Sequence, residues 1–584
     1  MKKNKIKIIP YILTIFVLVI VSCDKDALNF EPTDRISSFT TFQTEETASL
    51  FLFDIYARMQ DGNGTNSTFG SYGSFAEPWD NWTDNGVCGF GWGTSASDVF
   101  WGGAMNPSNV PALVEYDATT TNIPILWDGA FKNIRKCNVF IEGVTESTTL
   151  SDNYKTTTIA EARFLRAYFY HYLWMGYGGL PIITKSLNQS TDGDSIFYSR
   201  ETAEATYNFL IKELDEISQP GILPEVPIET GRIVRGGALA LKGWIELFNH
   251  DYAEAAATNK QIIDDGMFNL FPEYGALFMP ENNGNREGVV IRKYFPRIKG
   301  GTIEGVWAIP FTQDGTYVAY GAANPTQELV DDYCMSNGLP ITDPSSGYDP
   351  QNPYAGREKR FYESIVWDGS PWYIDDAVYF RKGVGSPNEI DLENATGNNT
   401  RTGYGLRKRL DQSLNFQESG WAAQSWDLDN KGIGQQDFYI FRFAEVLLNY
   451  AEAQNEASGP DATVIDAIDR IRMRAGIPSL ATTFGSLSQD EMRTVIRRER
   501  RVELTFEDKR YWDLLRWKLA EDKLKGFMHA MEIVQDAAGD LTYEVKPLES
   551  YGPRAFNAHN YLFPIPTIVM ESNPKLVQNP GYGN

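Results

Sequence analysis

Ala160-Glu-Ala-Arg-Phe-Leu-Arg-Ala-Tyr-Phe-Tyr-His-Tyr-Leu-Trp-Met-Gly-Tyr-Gly-Gly-Leu-Pro181 carries apolar side chains three and four residues apart, and the repeat begins upstream at Ile159. Ala162, Leu165, Tyr168, Phe169, Tyr172 and Leu173 fall on the period of an amphipathic helix, which the spacing predicts over 155–178. The same period recurs in 200–218, 233–249, 251–265, 438–457, 461–475, 488–508 and 509–525. The chain therefore reads as mainly α with little sheet.

The pair Gly236–Asn249 and Asp251–Asp265 suggests how these helices are arranged. Ala238, Leu241 and Trp244 precede a tight turn at His250-Asp251, and Tyr252-Ala-Glu-Ala-Ala-Ala follows it. Small residues beside a large aromatic are what tetratricopeptide-like helix pairs use to stack, so a right-handed helical array is expected. Between the helical runs, 60–125 and 270–435 are rich in Gly, Pro, Asn, Asp and aromatics, with Asp-Gly turn signals at 61–62, 314–315 and 368–369. Loops this long inside a compact domain are usually functional or disordered, and their aromatic content argues against disorder.

In 488–508, Glu499, Glu503 and Glu507 share one helical face at four-residue spacing, and Arg493, Arg497 and Arg501 share another. Crossed pairs such as Arg500 with Glu503 are expected to tie this helix to its neighbours, a structural reading preferred to catalytic carboxylates. No GxSxG elbow, Walker loop or GxGxxG after a strand is present, and His171, His250, His529 and His559 lie far apart without an HExxH pair. A catalytic zinc site is not expected. Asp427-Leu-Asp-Asn-Lys-Gly begins like a calcium loop, but Lys431 stands where an oxygen ligand belongs and Phe438 where the closing Glu should be. An EF-hand is rejected, while calcium held in another way stays open.

The first 22 residues are a basic start (Lys2, Lys3, Lys5, Lys7) followed by an apolar run from Ile8 to Val21, which reads as an export signal rather than a membrane span. Ile20-Val21-Ser22-Cys23 resembles a bacterial lipobox, in which cleavage precedes a cysteine that carries diacylglyceryl and N-acyl lipid. At roughly 0.8 kcal/mol per buried methylene, two or three acyl chains anchor a protein firmly. Asp24-Lys25-Asp26 and the residues after it suit a polar tether and look like an outward-display tag. From Cys23 on, 49 basic face 77 acidic side chains, which disfavours nucleic acid and anionic membrane surfaces as partners. A content of 42% hydrophobic and 13% aromatic residues supports a well-buried core. Cys88, Cys137 and Cys334 are odd in number and widely spaced, so they write no disulfide framework and at most one bridge.

Four blocks, in order, resemble the SusD/RagB family of outer-membrane nutrient-binding lipoproteins. They are the 160–181 stretch, Phe441-Arg-Phe-Ala-Glu-Val-Leu-Leu-Asn-Tyr-Ala-Glu-Ala-Gln-Asn-Glu, Ile471-Arg-Met-Arg-Ala-Gly-Ile-Pro, and Arg497-Arg-Glu-Arg-Arg-Val-Glu-Leu-Thr-Phe-Glu-Asp-Lys-Arg-Tyr-Trp-Asp-Leu-Leu-Arg-Trp. The ending, Phe563-Pro-Ile-Pro and Asn573-Pro-Lys-Leu-Val-Gln-Asn-Pro-Gly-Tyr, agrees. The resemblance implies four tetratricopeptide-like helix pairs supporting a loop-rich ligand-binding half. It also implies a partner SusC-like TonB-dependent transporter, an oligosaccharide or peptide ligand, residence at the outer membrane and no bond-breaking chemistry. It divides the chain into a signal peptide (1–22), a lipidated Cys23 with its tether (23–38), an N-terminal helical part (39–270) and a C-terminal part (271–584). The C-terminal part is loop-rich over 271–437 and helical over 438–530, and the two parts form one integrated fold.

Sugars bind aromatic faces laid against pyranose C–H faces, with amides, carboxylates and guanidinium groups on the hydroxyls. The loop 72–103 fits this chemistry. Trp82 and Trp92, flanked by Asn, Asp and Gly, are expected to be exposed with Asp84 and Asn85, whereas Trp79 and Trp101 are expected to pack inward. Tyr317 and Tyr320, beside Gln313 and Asp314, form a second cluster, and Trp372, with Trp367, Asp368 and Tyr373, a third. Core packing is the competing reading for each of these aromatics. The leading expectation is a glycan-binding lipoprotein without a cofactor. A peptide-capturing member and a surface glycoside hydrolase are the alternatives.

Overall fold

The structure, a computed structural model, describes residues 41–60, 78–89, 105–108, 126–227, 229–294, 321–373, 377–383, 400–413 and 435–583, with single residues and short pairs between 303 and 392. Cys23, the tether and the segment carrying Trp92 and Trp101 lie outside the described residues, as do Tyr320 and most of 427–438. Ten helices carry the scaffold: α1 (Glu45–Tyr56), α2 (Leu126–Glu146), α3 (Asp152–Tyr177), α4 (Ala203–Ile217), α5 (Arg235–Phe248), α6 (Tyr252–Asp265), α7 (Phe443–Ser458), α8 (Ala462–Arg474), α9 (Gln489–Glu503) and α10 (Arg510–Arg516). From α2 to α8 each helix packs on the next, and α9 returns against α7. This is the stacked array that the apolar repeats imply.

Local chemistry sets the ends of these helices. Ser151 and Thr202 accept from Tyr154 N and Ala205 N, and Ser488 and Glu491 form a reciprocal capping box. Helix α3 is buried on every face from Phe164 to Tyr177 because α2, α4, α1 and α5 all contact it. Gly243 lets α5 approach α6: a Cβ there would lie 2.5 Å from Asn259 Nδ2.

Four readings of the sequence need correction. Residues 438–442 begin no helix. They form a strand, β2 (Phe438–Arg442), antiparallel to β1 (Gly288–Arg292), and Phe-Tyr-Ile-Phe is buried along its whole length. Helix α9 stops at Glu503, and Phe506 and Asp508 beyond it take φ of 52° and 62° in a buried turn. The run 509–525 breaks after α10, with Lys518 at φ 55°. The long α2 lies in a stretch to which no apolar repeat is assigned. A hairpin of β3 (His529–Gln535) and β4 (Leu541–Pro547) completes the chief strands.

Among the described residues two main apolar cores result, besides a small cluster of Tyr274, Leu277, Phe278, Ile291 and Tyr439. The first and larger core runs through the helices; the second gathers Trp307, Tyr333, Tyr354, Phe361, Trp372 and Tyr404 in the loop-rich half. Met492, Val495 and Ile496 of α9 belong to the first, while Val502 and Phe506 belong to the second, so the end of α9 is where they join. Among the described residues no helix is long and apolar enough to cross a membrane.

Candidate functional site

The join is held by charge. Glu503 lies among Arg442 (2.7 Å), Arg360 (3.2 Å) and Arg474, and Glu507 accepts from Arg442 and Lys408. Burial alone would raise these carboxyls. Arg474, Arg442, Arg360 and Lys408 override it at Glu503, which falls well below the usual range, and Arg442 and Lys408 bring Glu507 to about 2. Burial in turn lowers Lys408 to about 8. The expected Arg500–Glu503 pair does not form, because Arg500 faces the other way, toward Asp513 (2.7 Å), Asn449 (2.6 Å) and Glu445 (3.5 Å). The reading of these charges as scaffold holds, with different partners.

The turn after α9 anchors the segment 78–89. Asp80 accepts from Phe506 N (2.9 Å) and Asp508 N (3.2 Å), Asp84 takes a bidentate pair from Arg510 (2.9 and 2.8 Å), and Asn85 accepts from Arg501 (2.8 Å). Asp84 is 2% and Asn85 1% exposed, so neither reaches a ligand, contrary to expectation. Trp82 is corrected likewise: it is 4% exposed, stacked on Trp79 at 5.3 Å and edge-on to Tyr511 at 5.9 Å. Trp79 packs inward as expected. Trp372 is fully buried in the second core, with Arg407 over its ring, and is also no ligand contact here. The polar neighbours that suggested exposure are instead bonded within the fold, Asp80 and Asp84 to the 503–510 turn, Asn85 to Arg501 and Asn81 to Ala322 O. Tyr317 pairs with Thr312 in a two-residue ladder, and its side chain lies outside the described residues with Trp92 and Tyr320.

The same turn holds both ends of 61–77 and, through Arg409, one end of 414–434, whereas Gly89, Gly321 and Arg401, at the ends of other segments outside the described residues, bond to one another. Asp508 accepts from Gln60 Nε2 (2.8 Å) on one side of 61–77 and from Trp79 N (2.8 Å) on the other. Gly89 bonds to Gly321 O and accepts from Arg401 Nε, which borders 393–399. Arg409 donates to Phe506 O and stacks over Trp307, while its own carbonyl accepts from Gln436, just past 414–434. Burial and the nearby Asp80 push Asp508 up to about 7 against the pull of Arg409.

The model of the SusD family matches residues 281–582, just over half the chain, and a second model, described as "Starch-binding associating with outer membrane", matches 92–233. The chain belongs to the SusD family. Across almost its whole length it is similar to SusD-like protein P25 of Formosa agariphila, at 22% identity over 98% of both chains. Among solved structures, a SusD-like carbohydrate binding protein from Bacteroides fragilis superposes with a TM-score of 0.73, at 24% identity over 92% of this chain and 100% of that one. A laminarin binding SusD-like protein superposes at 0.64, with 21% identity over 93% and 100%.

Within this SusD-family fold, one described aromatic does face outward in the loop-rich half. Tyr379 is 41% exposed and carries the Arg381 guanidinium 4.4 Å from its ring centre, and Arg381 is held by Asp368 at 3.0 Å. The Lys382 backbone N–H donates to Ile533 O, so this stretch runs along β3. Along it Tyr379 is exposed, Phe380 buried and Arg381 half-buried, the period-two alternation of a strand with one buried face. Chemically, an exposed ring with a fixed guanidinium beside it suits a sugar's C–H face and hydroxyls. No group of three or more His, Cys, Asp or Glu among the described residues is arranged to hold a metal. Cys88, Cys137 and Cys334 are buried, and burial lifts the Cys137 and Cys334 thiols to about 12.

Proposed function

We propose that this protein is a lipoprotein of the outer-membrane surface that binds an oligosaccharide or polysaccharide nutrient and delivers it to a SusC-like TonB-dependent transporter. Membership of the SusD family carries the reading. Two superposable relatives are named for carbohydrate and laminarin binding, and the N-terminal family model is described as starch-binding and outer-membrane associated. Lipid on Cys23 supplies the anchor. The sugar contacts are assigned to Trp92, Tyr317 and Tyr320, on segments whose neighbours tie back toward the 503–510 turn, with Tyr379 as an added platform. The protein acts by capture and not by cleavage, because the strongly shifted carboxyls described above are buried in ion pairs or behind Trp79, where no glycosidic bond reaches them.

Calorimetric titration against plant, microbial and host oligosaccharides, with chromatography of the sugar afterwards, tests this reading. Saturable binding with the sugar intact is expected. Shortened sugar would establish a hydrolase, and saturable binding of peptides alone would establish a peptide carrier.

A further inference from the structure

Apart from the site described above, a cavity of about 320 Å³ lies between the 225–234 loop ahead of α5, the residues following α6, and β1 with its preceding turn. It shares no lining residue with the 503–510 turn. Its walls are mainly hydrocarbon, with Val226, Ile233, Phe268 and Val289 among them. The polar groups are few and largely committed. Asn285 donates to Asn282 O and Tyr439 Oη and accepts from Glu287 N, so its amide has little left for a hydroxyl. Arg232 is bound to Glu161 by Nη2 (2.6 Å) and Nε (3.1 Å), and Glu225 faces Arg235 at 3.8 Å.

Arg286 is the exception. It donates from Nε and Nη2 to the carbonyls of Met267 and Gly266, and it pairs with no carboxylate among the described residues. This exposed guanidinium on the cavity wall is held in place by two carbonyls and leaves Nη1 without a partner among the described residues, a geometry suited to a carboxylate. A sugar is poorly served by such walls, because its hydroxyls would lose water without gaining partners. A hydrocarbon body ending in one carboxylate matches both features, and the volume suits a ligand of about ten to fifteen heavy atoms.

We propose that this cavity is a second binding site, for a small apolar carboxylate such as an aryl or short-chain acid, with the hydrocarbon among Val226, Ile233, Phe268 and Val289 and the carboxylate on Arg286. Glu225, in the same wall, disfavours a second negative charge on the ligand.

The test titrates the full chain with 3-phenylpropionate and, separately, with 3-phenylpropan-1-ol, and repeats both on Arg286→Gln and Thr230→Phe. Both substitutions are at exposed positions, and an unchanged melting temperature certifies their fold. The acid is expected to bind saturably and at least about tenfold more tightly than the alcohol, the scale of a charge-assisted hydrogen bond. Arg286→Gln should erase that preference, and Thr230→Phe, which fills the mouth, should abolish binding of both. Equal affinity for acid and alcohol, no saturable binding, or binding indifferent to both substitutions would overturn the proposal.

Discussion

Replacing Asp508 by Asn should reverse its effect on stability across neutral pH. The buried carboxyl has a folded pKa of about 7 against an ordinary 3.8, so the folded chain holds a proton that the unfolded chain has released. That retained proton stabilises the fold at low pH, and the benefit fades as pH rises through 7. For one group with these constants, the wild type loses about 2.6 kcal/mol between pH 5 and pH 8 from Asp508 alone. The substituted amide has nothing to titrate, but its Nδ2 faces either Gln60 Nε2 or Trp79 N, both donors, at a cost of about 1–2 kcal/mol at every pH. The variant should therefore be less stable than wild type at pH 5 and equal to it or more stable at pH 8. A chain of this length has an unfolding entropy near 1 kcal/mol per kelvin, so the difference in melting temperature should swing by roughly 2–3 °C across the range. Scanning calorimetry of both proteins at half-unit pH steps measures it. A pH-independent difference would refute the reasoning and place Asp508 as an ordinary ionised carboxylate.

The acid side should behave oppositely. Despite burial, Arg516 holds Glu452 at about 2, and Arg442 holds Glu507 there; their stabilisation is complete above pH 4.5 and is lost as pH falls toward 2. Far-UV circular dichroism should show acid unfolding in that window, and a flatter acid limb for Glu452→Gln. Arg442→Met leaves Glu287, Glu503 and Glu507 short of a shared cation and should cost about 3–5 kcal/mol, read as a fall of several degrees in melting temperature. Trp82→Ala opens a core cavity worth about 3–5 kcal/mol, and it should lower the melting temperature whether or not sugar is present. Cys23→Ala should abolish incorporation of labelled palmitate in cells and release the protein from the membrane fraction.

The scaffold was legible because buried helices leave a period. α3, α5 and α6 lie within a few residues of their apolar repeats, since their packing faces are long and continuous. α2 carries the same period, with Trp127, Ala130, Ile134, Cys137, Phe140 and Val144 buried three and four residues apart, and was legible though unassigned, whereas 438–442 was absorbed into a helix because a fully buried strand has no alternation to betray it. Positive φ at Phe506 and Asp508 follows the end of α9 at Glu503, and only Asp of the two is a residue type enriched in that region.

The candidate site was harder to read for a different reason. Polar residues beside Trp82 suggested solvent, yet Asp80, Asp84 and Asn85 spend their hydrogen bonds on residues more than 400 positions away in the chain. Sequence shows that a side chain needs a partner and does not show whether that partner is water or arginine. Tyr379 was the converse case, a lone aromatic made accessible only because its stretch runs along β3.

We propose that sugar binds the segment carrying Trp92 and not the buried aromatics beside the 503–510 turn. Titration of Trp92→Ala with the tightest-binding oligosaccharide tests it most directly. An affinity loss of at least about tenfold is expected, as for a lost aromatic anchor, with an unchanged melting temperature. Unaltered affinity, or a loss that merely tracks unfolding, would contradict it.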